Sequence, residues 1–180
     1  MDLQLTISNP DNPRKIPQTI FIEDISTIVT KYGAPKLLEG FNEIFNKYKL
    51  MEMQITKQKE SMQQKIPEIR KAIEIVEFLS KDHEADIPID FLLSDTIWAK
   101  AKIAKDVQKV ALWLGANVMV EFSFDEAKTL LTRNLQNAEA NLKSYEEDLN
   151  FLQDQITTCE VNISRVYNQN VKNNEQRQQQ

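Results

Sequence analysis

Few residues in this chain are of types that do chemistry, and their spacing argues against a reaction. There is one cysteine, Cys159, and one histidine, His83, in 180 residues. A nucleophilic thiol needs a base oriented beside it, and a histidine metal site needs further ligands. Cys159 instead falls on the apolar seam of a helical repeat, where a small side chain packs well. His83 lies in the polar run Lys81-Asp-His-Glu-Ala-Asp86 and reads as part of a solvated connector. Glu146, Glu147 and Asp148 are adjacent carboxylates, which on a helix read as a solvated face rather than an acid–base pair. Lys100, Lys102, Lys105 and Lys109 form the basic cluster. With a net charge of −5 they read as a charged strand face, or as ion pairs to another subunit, rather than a phosphate-binding patch. Trp98 and Trp113 have the faces to stack a ligand, but aromatics on neighbouring strands more often pack on each other or on a partner. Phosphate loops, nucleophile elbows and metal-ligand spacings are absent from the sequence. The expectation is a binding protein: not an enzyme, with no catalytic residues, no cofactor and no metal site.

The elements that would position a binding surface are clearer. Val110-Ala-Leu-Trp-Leu-Gly115-Ala-Asn-Val-Met-Val-Glu-Phe122 alternates apolar and other residues on both sides of Gly115, the pattern of strand, tight turn, strand. Ser123 followed by Glu126 is a capping box that starts a helix. Upstream, Phe91-Leu92-Leu93, the turn-like Ser94-Asp95-Thr96, and Ile97, Ala99, Ala101 and Ile103 alternating with Trp98, Lys100 and Lys102 predict a second hairpin. So small a sheet would be marginal and open-edged alone. It needs partners, and the candidate assembly residues are Leu92, Ile97, Trp98, Ile103, Val110, Leu112, Trp113, Leu114, Val118, Val120 and Phe122.

Long apolar repeats flank this platform. The first runs through Phe41, Ile44/Phe45, Tyr48, Met51, Ile55, Met62, Ile66, Ile69, Ile73, Val76 and Leu79 at spacings of three and four, with polar Gln58 and a local irregularity near Pro67. Because the repeat resumes beyond Pro67, a kink is expected there rather than an end. The second runs from Ala127 through Leu131, Leu135, Ala138, Leu142, Tyr145, Leu149, Leu152, Ile156, Cys159, Ile163 and Val166. Each arm would extend ~65–70 Å at 1.5 Å per residue. The short connector favours arms folded back on each other; two separate coiled coils in a continuous rod stay open. Ile25, Ile28, Val29 and Tyr32 predict a short amphipathic helix closed by Gly33.

The fold class is thus mainly α with a small β part: two long helices in an antiparallel coiled coil joined by two β-hairpins. The expected divisions are a flexible leader (1–18), a short amphipathic segment (19–34), the main domain (35–171) and a disordered tail (172–180). Within the main domain the arms occupy 35–81 and 123–171 and the platform 87–122. The N-terminus lacks a signal-peptide pattern, and no apolar run reaches the roughly 20 residues of a membrane span. A reducing cytoplasmic setting, without membrane or nucleic-acid partners, is expected.

The residues also carry a resemblance. Arg14-Lys-Ile-Pro-Gln-Thr-Ile-Phe-Ile-Glu-Asp24, Ile66-Pro-Glu-Ile69, Leu112-Trp-Leu-Gly-Ala-Asn-Val-Met119, Phe124-Asp-Glu-Ala127 and Glu147-Asp-Leu-Asn-Phe-Leu152 are similar to the α-type subunits of prefoldin, of the eukaryotic subunit 3 type. The resemblance covers about residues 14–170. It implies an ATP-independent cochaperone of two α-type and four β-type subunits, with the hairpins forming a β-barrel platform. The free ends of the coiled coils would hold unfolded actin and tubulin for the cytosolic chaperonin. On that arrangement Phe41, Ile44, Phe45, Tyr48, Ile163, Val166 and Tyr167 are candidate client contacts at the tip, where fraying would bare apolar surface. A structural coiled-coil adaptor, or a subunit of a related nuclear assembly, shares the heptads; the former has no need of the hairpins.

Overall fold

The computed structural model describes residues 4–9, 12 and 14–178, excluding the side chains of Arg177 and Gln178. The element order is β1 (Thr6–Ile7), β2 (Gln18–Thr19), α1 (Ile25–Tyr32), α2 (Ala34–Leu79), β3 (Ile87–Ser94), β4 (Ile97–Ile103), β5 (Lys109–Gly115), β6 (Val118–Ser123) and α3 (Phe124–Gln178). These form two compact units, Met1–Ser61 with Leu142–Gln180 and Met62–Asn141.

In the first unit, the 3,4 repeat places Phe41, Tyr48 and Ile55 of α2 with Leu152, Ile156, Cys159 and Val166 of α3 in one core. The core also takes Leu5, Ile16, Ile22, Ile25 and Val29 from the segment ahead of α2. That corrects the expectation of an unpacked leader over the described part of residues 1–18. Thr6 and Ile7 pair with Thr19 and Gln18, and Leu5 and Ile16 are buried against the helices. Residues 1–3, 10, 11 and 13 lie outside the described residues.

α1 is capped at both ends. Asp24 accepts from the Thr27 N–H (3.2 Å) and the Ser26 and Thr27 hydroxyls (2.7 and 2.5 Å). Gly33, at φ 83°, closes the helix by donating to the Val29 carbonyl. The Thr27 hydroxyl first, then the Ser26 hydroxyl and the Thr27 amide, hold the Asp24 carboxyl down at about 2, against an ordinary 3.8. A depressed folded pKa stabilises above the unfolded value and is lost as pH falls through the folded one. Lowering the pH from 4 to 2 is therefore expected to release the Thr27 amide to hydrogen exchange. Asp24→Asn, which keeps a capping oxygen but cannot titrate, is expected to flatten that dependence.

α3 ends at Gln178, so residues 172–178 continue the helix rather than forming a disordered tail. No apolar anchor is needed: Lys, Glu, Gln and Arg are good helix formers, and Gln169 bonds Asn173 one turn on. Gln179 and Gln180 lie outside the described residues.

In the second unit, Ile66 and Val76 of α2 are buried with Ala127 and Ala138 of α3. Arg70 pairs with Glu139 and Glu77 with Lys128, each at 2.6 Å. Position numbers rise along α2 as they fall along α3, so the helices pair antiparallel. α2 continues through Pro67 without ending. Its last turn is closed by His83, whose Nε2 lies 3.0 Å from the Phe78 carbonyl and whose ring lies 4.9 Å from that of Phe78. The residue expected in a solvated connector is a helix-end contact. The capping box forms as the sequence predicts: Ser123 N–H and Oγ donate to Glu126 Oε2 (3.0 and 2.7 Å), and Glu126 N–H donates back to Ser123 Oγ (3.4 Å). These donors lower the Glu126 pKa.

Candidate functional site

The hairpins of the second unit are two separate two-stranded sheets. In β3–β4 the register pairs Ile87 with Ile103, Ile89 with Ala101 and Phe91 with Ala99. Directly opposed residues share a face, so these six side chains make one wholly apolar face. The other face carries Pro88 opposite Lys102, Asp90 opposite Lys100, and Leu92 opposite Trp98. In β5–β6 one face holds Val110 with Phe122 and Leu112 with Val120. The other holds Ala111 with Glu121 and Trp113 with Met119, and Lys109 reaches Glu121 at 3.8 Å. Gly115 pairs with Val118 past an unpaired Leu114, and Ala116 and Asn117 make the turn with both φ positive (48° and 61°).

No residue of either hairpin is buried. On the apolar faces Phe91 is 57% exposed, Ile89 37% and Val120 36%; Trp98, Trp113 and Met119 are open on the opposite faces, and Leu93, Ile97, Leu114 and Val118 near the turns. Single exposed apolar residues are ordinary, but contiguous sheet faces of them mark a surface that another protein covers. The strand edges are unpaired as well. All eleven residues proposed for assembly lie on these hairpins. Ile87, Ile89, Phe91 and Met119 lie on the same hairpins and are not among the eleven, although Phe91 and Met119 fall within the predicted strands. The Ile-Pro-Ile-Asp-Phe alternation was the available signal, obscured by Pro88 and Asp90. Trp98 and Trp113 lie on different hairpins and face Leu92 and Met119, not each other. The lysines are also placed: Lys100 opposes Asp90, Lys109 reaches Glu121, and the Lys105 amide donates to Asp86 (3.3 Å).

The first unit holds a second surface, with a consequence for the proposed tip residues. Phe41, Tyr48 and Val166 are fully buried, and Ile44, Phe45 and Ile163 are partly buried against the same core. Of the seven, Tyr167 alone is exposed, at 58%. The burial has a physical cause: Asn12 and residues 14–23 lie over the helices as a strap and close what fraying would open. α3 holds the strap with buried polar side chains one heptad apart. Asp148 pairs with Arg14 (Nε–Oδ2, 2.5 Å) and accepts from Asn12 Nδ2 (3.2 Å). Its Oδ2 accepts no well-oriented hydrogen bond, so the Arg14 charge is its compensation. Arg14 also stacks on Tyr145 (4.6 Å). Gln155 Oε1 accepts from the Thr19 N–H (2.8 Å). Asn162 accepts from the Ile22 N–H (3.2 Å) and donates to the Ile20 carbonyl (2.8 Å). Arg165 donates to the Ile22 and Glu23 carbonyls.

Between α2 and α3, the Tyr48 hydroxyl donates to the Pro17 carbonyl (2.7 Å) and accepts from Thr19 Oγ1 (3.0 Å). Thr19 Oγ1 also lies 3.3 Å from Cys159 Sγ. Burial raises the pKa of both the Tyr48 hydroxyl and the Cys159 thiol, so both stay protonated near neutral pH. Cys159 is core, as its seam position predicts. Asp148 is not part of a solvated face but a buried anchor. Among the described residues, no group of three His, Cys, Asp or Glu side chains is placed to hold a metal, and no helix is long and apolar enough to cross a membrane.

A prefoldin subunit family model matches residues 48–169, spanning both units. The chain belongs to the prefoldin family. It is 43% identical to prefoldin subunit 3 of Homo sapiens over 162 residues, covering 87% of this chain and 82% of that protein. It is 45% identical to a probable prefoldin subunit 3 of Schizosaccharomyces pombe, covering 89% and 93%. Its fold is similar to a chain of filamentous PFD from Methanocaldococcus jannaschii solved by cryo-EM, with a TM-score of 0.52 at 14% identity, covering 64% of this chain and 94% of that one. Prefoldins are non-enzymatic chaperones that work as oligomers of prefoldin subunits. The chain is accordingly a prefoldin cochaperone subunit.

Proposed function

We propose that this prefoldin chain is an α-type subunit of a hexamer with a second α-type and four β-type subunits. In the cytoplasm this assembly holds unfolded actin and tubulin, without ATP, for delivery to the cytosolic chaperonin. One observation carries the reading: two adjacent hairpins, each with a wholly apolar face and no covering layer, in a chain whose helices already have a core. An adaptor coiled coil has no use for such faces. Burying apolar surface stabilises by roughly 25 cal/mol per Å² without directional demands, which suits both a barrel shared between subunits and a client without fixed shape. For client contact the accessible candidates are Tyr167, the partly buried Ile44, Phe45 and Ile163, and exposed Phe21, which precedes α1.

Co-expression with β-type subunits and native mass measurement tests the assembly. A hexamer is expected, and a chain that stays alone or forms a simple dimer would sink the reading. The purified hexamer is then expected to suppress aggregation of denatured actin without nucleotide and to release it to chaperonin.

A further inference from the structure

The strap's contacts are unusual in what they recognise. Gln155, Asn162, Arg165 and Tyr48 bind the Thr19 and Ile22 N–H groups and the Pro17, Ile20, Ile22 and Glu23 carbonyls. All six are main-chain groups, which every polypeptide presents. Side-chain identity is read where Ile16 and Ile22 enter the core, where Asn12 and Arg14 meet Asp148, and where the Thr19 hydroxyl meets Tyr48 and Cys159.

The spacing is that of an extended chain. Gln155 to Asn162 is one heptad, ~10.5 Å along a helix. The strap covers that interval from Thr19 to Ile22, three residues, which at ~3.3 Å each span ~10 Å. Gln155 and Asn162 are buried polar residues in a seam otherwise filled by Leu152, Ile156, Cys159 and Val166. A plain coiled coil would gain from apolar residues at such depth, since buried amides are costly unless bonded. Their placement makes sense only with an extended backbone on top. The strap fits this track imperfectly, because Lys15 is held at φ 54°, a left-handed conformation unfavourable for a residue with a Cβ. A cleft of about 220 Å³, lined by Ile16, Met51, Ile55 and Gln58 among others, also stays open along the strap's α2 side.

We infer that this track on α2 and α3 is a binding site for an extended segment of a non-native polypeptide, and that the chain's own strap is its resident competitor. The inference rests on the client-capture reading above and gives it a site: backbone-reading amides, an apolar floor of Phe41, Tyr48 and Val166, and a cover that must lift. The favoured segment is extended, with apolar residues six apart, as Ile16 and Ile22 are.

The 3.3 Å between Thr19 Oγ1 and Cys159 Sγ supplies a lock. In the assembled hexamer, Thr19→Cys oxidised with diamide is expected to form a disulfide that pins the strap. The probe is a fluorescein-labelled peptide copying residues 14–24, followed by anisotropy. Locking is expected to weaken peptide binding at least tenfold, with recovery in dithiothreitol. Thr19→Cys in a Cys159→Ser background is expected to ignore diamide. Arg14→Ala with Ile16→Ser, which loosens the strap and leaves the track intact, is expected to tighten peptide binding about tenfold with helical circular dichroism retained. Equal binding by locked and reduced protein, unchanged affinity on loosening, or loss of helix in the loosened variant would each overturn the inference. Aggregation suppression by the unmodified hexamer reads the client-capture function separately, so either can fail alone.

Discussion

Phe91→Asp combined with Leu112→Asp is expected to leave the helices intact and to remove the chain from its oligomer. Phe91 is the largest side chain on the apolar face of β3–β4, and Leu112 is central on that of β5–β6. Because Phe91 stands 57% exposed in the single chain, the first substitution removes little from the isolated fold. In an assembly each site loses the burial of a large apolar side chain, about 1.5–3 kcal/mol, and must also desolvate a carboxylate without a partner. The two sites together correspond to at least ~10³-fold in association, since each 1.4 kcal/mol is tenfold. Native mass spectrometry against β-type subunits measures this, with circular dichroism to confirm the helices. Lys102→Ala, on the opposite face of β3–β4, is expected to stay within tenfold of wild type. Normal incorporation of the double Asp variant would mean that the apolar faces are not the assembly surface.

How far such surfaces could be read from sequence depended on how local their causes are. The seam from Phe41 to Leu79, the capping box at Ser123 and Glu126, and the strand–turn–strand around Gly115 all follow from periodicity or short-range bonding. They stand where the sequence placed them. The two hairpins were legible for the same reason, except where Pro88 and Asp90 interrupted the alternation of β3. The strap was not. Residues 1–18 are Pro-, Asn- and Asp-rich, and by local rules such a run is extended and loosely held. What buries its described part is on α3, more than a hundred residues away: Asp148, Gln155 and Asn162, one heptad apart. Taken singly these are unremarkable polar residues on a charged helix. Their common interval was the one legible sign that the polar line faces inward. The same omission made Phe41, Tyr48 and Val166 look exposed, which they are only if nothing covers them.

Asn162→Ala is the change expected to cost the first unit most for its size. Asn162 is fully buried, and its amide satisfies the Ile22 N–H and the Ile20 carbonyl together. Alanine removes both partners while the main-chain groups remain under the strap. An unsatisfied buried group costs roughly 1–3 kcal/mol, so the pair is expected to cost about 2–4 kcal/mol, a drop of ~10–20 °C in Tm for a unit of this size. Asn162→Leu restores the volume but not the bonds, and is expected to recover only the packing part of the loss. Gln169→Ala, one turn beyond the last strap contact, is expected to change little, since its bond is local to the helix. Hydrogen exchange separates strap from coil: the Ile22 amide should lose protection in Asn162→Ala before amides in the middle of α3 do. If Ile22 and the middle of α3 lose protection together, the strap is inseparable from the coiled-coil core and cannot act as its cover. If Ile22 loses it first, the helices hold without the strap, and the track beneath can open while the subunit stays folded.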